Sequence, residues 1–236
     1  MRVAFATCSL FPDGWDDDQS AASLLSAEFR SWDDPAVDWE RFDRVVLRSV
    51  FDYHHRPDEF LAWCRAVGAE RLRNSPELVA FNADKRYLSE LSAPTVPTTY
   101  VHAGEPLPDQ PGEFVVKPSV SAGARDTGRF SHVSRADEVA PAAPDGVGRE
   151  LEVAHAMFDD DLVVPGDAAP DDLRFAERLL AEVSERFGAP LYLRVDLVRN
   201  AEESPVLLEL EAIDPVLYLE LTPGADRTFA AAVLAS

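Results

Sequence analysis

Lysine is almost absent from this chain. Of 22 Lys+Arg residues, only Lys85 and Lys117 are lysines; every other basic residue is arginine. Positive charge is scarce as a whole, because 43 Asp+Glu residues set the formal net charge at -21. So acidic a chain repels phosphate backbones and anionic headgroups, and no run of basic residues offsets this locally. Nucleic acid and membrane surfaces are therefore excluded as default partners. No apolar stretch reaches about 20 residues, the length that spans a bilayer. Met1–Phe11 has some character of a leader peptide, but one charge and an Asp-rich flank make it a buried first strand, and a cytoplasmic protein is expected. Cysteine is limited to Cys8 and Cys64, which read as buried free thiols rather than a disulfide framework. The five histidines lack metal-ligand spacing, and no Ser-His-Asp or Cys-His arrangement is visible. There is no internal repeat.

Apolar residues make up 46% of the chain, enough for a substantial core. Val3–Thr7 and Arg44–Arg48 are β-prone runs. Asp16–Asp18 caps a helix-like segment over Gln19–Arg30. Pro57 suits the first turn of a helix reaching about Val67, with Asp58 and Glu59 favourable at its start. Leu78–Leu91 reads as another helix between Pro76 and Pro94. Strand, helix, strand, helix predicts an N-terminal α/β unit over residues 1–95. A proline-marked region follows, with strands expected at Thr98–Val101 and Glu113–Lys117. Leu151–Ala156 and Leu162–Val164 are candidate short strands. Asp171–Phe187 is a helix by the spacing of Leu173, Ala176, Leu179, Leu180 and Val183, and Gly188 ends it. Leu191–Val198 and Pro205–Glu211 are the strongest strands, joined by a turn over Arg199–Ser204.

Those last two strands carry the chemistry. In L-Y-L-R-V-D-L-V, Arg194 and Asp196 share a face while Leu193, Val195 and Leu197 point to the core. In V-L-L-E-L-E, Glu209 and Glu211 share a face while Leu208 and Leu210 point away. Paired as a hairpin, the strands present one arginine and three carboxylates on a common surface. Such carboxylates repel one another unless positive charge sits among them. A hard dication such as Mg²⁺ takes oxygen ligands and leaves room for phosphate oxygens.

The two lysines form a second constellation. Lys85 lies early in a helix, in N-A-D-K, and Lys117 ends the apolar strand F-V-V-K. A compact ammonium at a strand end suits phosphate oxygens. The small-residue loop after it, containing Ser121 and Gly123, lets backbone N–H groups approach phosphate. On its own this loop is a weak signal.

The ordered set N-A-D-K, V-V-K-P with its small-residue loop, R-V-D, E-L-E and Pro223-Gly224 resembles the ATP-grasp superfamily. The similarity is greatest to the branch containing the O-ureido-serine cyclo-ligase of cycloserine biosynthesis, and it covers most of the chain. The resemblance implies an α/β ATP-grasp-like fold: an N-terminal pre-ATP-grasp domain over 1–95, a reduced lid over 96–150 and a C-terminal catalytic subdomain over 151–236. It implies that Lys85, Lys117, Ser121 and Gly123 contact ATP, that Arg194 stabilises the transferred phosphoryl group, and that Asp196, Glu209 and Glu211 hold Mg²⁺. Arg48 and Arg125 are weaker candidates for substrate contact, with a structural ion pair equally expected. The implied reaction activates a small amino-acid-like carboxylate as an acyl phosphate for attack by an amine-type nucleophile. Relatives of this type carry a V-Q-P-Y-like hinge and further lid strands where this chain has only the acidic, Ala/Pro-rich interval Ser131–Pro170. The alternative is therefore a non-catalytic ATP-grasp-like binding or regulatory module. The oligomeric state is left open, with a homodimer included.

Overall fold

The computed structural model describes residues 1–102, 105, 114–121, 127–130 and 164–236. Two compact units emerge, Met1–Val96 with Pro165–Ser236, and Pro97–Val164. Among the described residues no helix is long and apolar enough to cross a membrane.

The first unit is built on a parallel sheet of β1 (Val3–Thr7), β2 (Glu28–Ser31), β3 (Arg44–Leu47) and β4 (Leu72–Arg73), in the order β2-β1-β3-β4. The apolar runs that announce β1 and β3 are buried on both faces, as parallel strands are. On one face Val3, Phe5 and Val46 meet Ala21, Ala22 and Leu25 of α1 (Gln19–Leu25) and Phe229, Ala230 and Val233 of α5 (Ala225–Ala235). Helix α2 (Pro57–Val67) starts on its proline and buries Phe60, Cys64 and Val67, one stripe at helical spacing.

Two helices are shorter than the sequence suggests. The segment expected to be helical over Gln19–Arg30 is helical only to Leu25. Ser26 turns left-handed (φ 50°), and Glu28–Ser31 pairs in parallel with β1. The helix expected over Leu78–Leu91 begins earlier, with Pro76 inside its first turn, and ends at Asn82 as α3 (Pro76–Asn82). A 3₁₀ turn, Lys85–Glu90, replaces the remainder because Asp84 is extended and its carboxylate caps Arg86 N–H at 3.0 Å.

A second core joins Leu78, Tyr87, Leu88 and Leu91 to Phe175, Leu179 and Val183 of α4 (Pro170–Phe187) and to Leu207 and Leu210. The buried stripe of α4 includes Phe175. Leu173 and Leu180, expected to be inward, are 53% and 45% exposed. Gly188, at φ 83°, ends this helix. Against this core lies an antiparallel hairpin of β7 (Arg194–Arg199) and β8 (Pro205–Glu211). Leu193, Val195 and Leu197 pack on the core as expected. The pairing slips by one residue between Asp196 and Leu197, a bulge that sets Leu208 out of the ladder. The sequence parity fails there: Leu207 is fully buried and Leu208 is 40% exposed.

In the second unit, β5 (Phe114–Val116) pairs antiparallel with β6 (Gly128–Phe130), a strand not read from the sequence. Thr98–Val101, expected to be a strand, is irregular. The strand expected at Leu151–Ala156 lies outside the described residues, as does all but Val164 of the one expected at Leu162–Val164.

Candidate active site

The hairpin register brings the predicted charges together. Arg194 stands opposite Glu211, and Asp196 opposite Glu209. Side chains across an antiparallel pair are about 5 Å apart at Cβ, so the four charges form one patch. The Arg194 guanidinium forks onto Asp196, with Nε donating to Oδ1 at 2.9 Å and Nη2 to Oδ2 at 3.0 Å. The same Nη2 donates to Glu211, and Nη1 donates to the Val216 carbonyl at 3.3 Å. Lys85 Nζ lies 3.2 Å from Glu209 Oε1. Of the sequence-predicted site, Lys85, Arg194, Asp196, Glu209 and Glu211 therefore converge in the first unit.

Their electrostatics follow from that crowding. Burial pushes the Glu211 carboxyl up to about 7. Arg194 pulls it down, while Glu209, Asp196 and Asp214 push it further up. Burial acts against the Arg194 charge, but the Asp196 hydrogen bonds and the Glu211 charge outweigh it and hold the guanidinium above its ordinary range. Among the described residues no three His, Cys, Asp or Glu side chains converge as a ready metal cage. The donor set nevertheless fits a hard dication. Three carboxylates on one strand face offer only oxygens, and each is half-exposed.

Three polar side chains that drew no functional expectation position this patch. Asn82 Nδ2 donates to the Leu210 carbonyl at 2.7 Å, and its Oδ1 accepts from Ala212 N–H at 2.8 Å. The Tyr87 hydroxyl donates to the Leu210 carbonyl and accepts from Leu210 N–H, both at 2.8 Å. Asn74 Nδ2 donates to the Tyr192 and Ala212 carbonyls at 3.0 and 2.8 Å, and its Oδ1 accepts from Leu191 N–H at 2.7 Å. Together they give the outer edge of β8 the partners a neighbouring strand would supply. Asn82 and Tyr87 flank Lys85 in sequence, so the anchoring of β8 also delivers the lysine to Glu209. The one available signal was Asn82, which opens the N-A-D-K motif.

Arg48 is placed elsewhere. It is 2% exposed. Its Nε bonds Asp18 at 2.6 Å and its Nη1 donates to the Pro215 carbonyl at 3.0 Å. Ser49, at φ 56°, donates from its hydroxyl to Asp18 at 2.7 Å and from its N–H to Asp214 at 2.7 Å. This buried network clamps the end of β3 to the segment leaving β8. Burial pushes the Asp214 carboxyl up to about 7, with Arg48 opposing and Asp18 adding to the rise. Lys117, half-buried after β5, and Ser121, 5% exposed, belong to the second unit. Gly123 and Arg125 lie outside the described residues.

Comparison with known proteins gives this arrangement its class. The fold is that of ATP-grasp proteins: the RimK domain ATP-grasp protein of Sphaerobacter thermophilus superposes with a TM-score of 0.57 at 13% identity, covering 100% of this chain and 98% of that one. Residues 3–74 match the model of the N-terminal domain of D-cycloserine synthetase DcsG. The cycloserine biosynthesis protein DcsG of Streptomyces lavendulae is 32% identical over 263 residues, covering 89% of this chain and 88% of that protein. A crystal structure of D-cycloserine synthetase DcsG superposes with a TM-score of 0.77 at 25% identity, covering 100% of this chain and 99% of that one. The chain belongs to the DcsG family of ATP-grasp ligases. It is an ATP-dependent ligase. The alignment with the Streptomyces protein, at 263 positions, is longer than this 236-residue chain, so that relative carries residues with no counterpart here.

Proposed function

We propose that this ligase, acting in the cytoplasm, uses Mg²⁺ and ATP to activate a small amino-acid-like carboxylate as an acyl phosphate for attack by an amine-type nucleophile. The observation that carries the reading is the register of β7 and β8, which gathers Arg194, Asp196, Glu209 and Glu211 on one face and sets Lys85 on Glu209. The substrate class is supported by the relative named for cycloserine biosynthesis.

Asp196, Glu209 and Glu211 are the residues that would hold Mg²⁺, which neutralises phosphate charge when bound. Lys85 supplies a point charge for a phosphate oxygen beside them. Arg194 offers a planar fork of donors matched to the three equatorial oxygens of a phosphoryl group in transit. Lys117, Ser121 and Gly123 are the nucleotide contacts that the V-V-K-P motif and its small-residue loop imply, and Arg125 remains a candidate for substrate contact. In the first step a substrate carboxylate oxygen bonds to the γ-phosphorus and ADP leaves. In the second step the nucleophile bonds to the acyl carbon, loses its proton, and inorganic phosphate leaves. These residues do no covalent chemistry themselves. They position the reactants and compensate charge.

The test uses amino-acid carboxylates labelled with ¹⁸O. Substrate-dependent ADP release, with ¹⁸O appearing in the inorganic phosphate, is expected for the wild type, and a fall of at least about 100-fold for Glu209→Ala. ADP release without label transfer would overturn the acyl phosphate. Equal rates in a folded Glu209→Ala protein would overturn the site.

A further inference from the structure

The acids proposed to hold the metal already have an internal cation among them. Both carboxylate oxygens of Asp196 accept from Arg194, at 2.9 and 3.0 Å, and Glu211 accepts from the same guanidinium. A dication would need those same lone pairs. Glu209 is bridged by Lys85. With all three carboxylates ionised, the two cations leave this cluster one negative charge, and adding a dication with Arg194 in place would make it net positive. A dication and a guanidinium held against the same carboxylates repel each other, and a half-buried site screens that repulsion less than bulk water does. The Arg194 side chain is 26% exposed, so it has a route outward.

We infer that Arg194 is a displaceable stand-in for the metal. It keeps the acids of β7 and β8 neutralised and aligned while the site is empty of nucleotide, and it is expelled from between Asp196 and Glu211 when a divalent cation arrives with ATP. Its release frees the Nε and Nη2 donors now held by Asp196 and Glu211 for the phosphoryl group that arrives in the same event. Metal loading and delivery of the phosphoryl-binding arginine are thus one linked step. The linkage keeps free metal from occupying the site alone. This inference rests on the assignment of Asp196, Glu209 and Glu211 to the metal.

Titration of the full chain with Mn²⁺, followed by the electron paramagnetic resonance signal of the free ion, tests it without any turnover. In the absence of nucleotide, Arg194→Gln is expected to bind Mn²⁺ at least about fivefold more tightly than the wild type, within the usual range of coupling between linked sites. Arg194→Lys, which keeps the charge, is expected to stay near the wild type. A non-hydrolysable ATP analogue should narrow the gap between wild type and Arg194→Gln. Circular dichroism confirms that each variant is folded. If folded Arg194→Gln binds Mn²⁺ no more tightly than the wild type, while both bind it with the analogue present, the stand-in role is overturned and the metal assignment stands. If neither protein binds Mn²⁺ even with the analogue, the metal assignment fails and the stand-in role falls with it.

Discussion

Asp214 shows how a single residue builds a pH dependence into this fold. Its Oδ1 accepts from Ser49 N–H, while its Oδ2 is buried with no hydrogen-bond partner among the described residues. Burial raises the folded carboxyl to about 7, against about 3.9 in an unfolded chain. A raised folded value means that the folded state favours the proton. The contribution of Asp214 to stability is therefore complete below pH about 4 and is lost as pH rises through about 7. Asp214→Asn keeps an oxygen for Ser49 and cannot ionise. Melting temperatures measured for both proteins at about pH 5 and about pH 8 should show the variant gaining on the wild type at the higher pH. An equal difference at both values would contradict the buried-acid account. The neighbouring Arg48 illustrates the same physics with the opposite outcome. Its guanidinium is compensated by Asp18 and by the Pro215 carbonyl, so a residue that the sequence offered equally as substrate contact or ion pair serves as a buried clamp.

At the scale of elements, the strand β8 is the one that makes the site. Its outer edge is closed by side chains rather than by a full strand: Tyr87 and Asn82 bond Leu210 and Ala212, and Leu207 exchanges backbone bonds with Pro94 and Val96 at 2.8 and 3.0 Å. Tyr87→Phe takes the partner from the buried Leu210 N–H and leaves the Leu210 carbonyl with Asn82 alone. The expected cost is about 1–3 kcal/mol, read as a lower urea midpoint, together with weaker nucleotide binding because Lys85 shares that turn. A loss below about 0.5 kcal/mol with unchanged binding would show that the edge is held by other means. Much of this level was legible in the sequence. The apolar runs of β1 and β3, the Pro57 helix start and the two faces of β7 all follow from periodicity. What escaped has local physical causes. Ser26 in a left-handed conformation cuts α1 short and frees Glu28–Ser31 to pair with β1. Asp84 caps the next turn and breaks the helix that period alone would continue past Asn82. A bulge moves Leu208 outward, so strict alternation assigns it to the wrong face while leaving Glu209 and Glu211 together. Helix α5 has its apolar stripe at Phe229, Ala230 and Val233, yet its alanine-rich composition gave little contrast between faces.

For the whole molecule, the scarcity of lysine acquires a meaning. In an acidic chain whose other cations are all arginine, Lys85 stands at the acid-lined hairpin and Lys117 directly follows the first strand of the second unit's antiparallel pair. A net charge of -21 repels a nucleotide in general. In the function proposed above, the local cations and a metal are what would let the anionic nucleotide dock. The charges on β7 and β8 were legible because they sit at strict two-residue spacing. Their pairing partners were not, because Asn74, Asn82 and Tyr87 act across more than 100 residues of chain. The most direct measurement is a calorimetric titration of the full chain with ATP, with and without Mg²⁺, in the wild type and in an Asp196→Asn, Glu209→Gln double variant. The account predicts Mg²⁺-dependent binding by the wild type and affinity at least about tenfold weaker in the folded variant. Equal affinity in the two proteins, or wild-type binding indifferent to Mg²⁺, would contradict it.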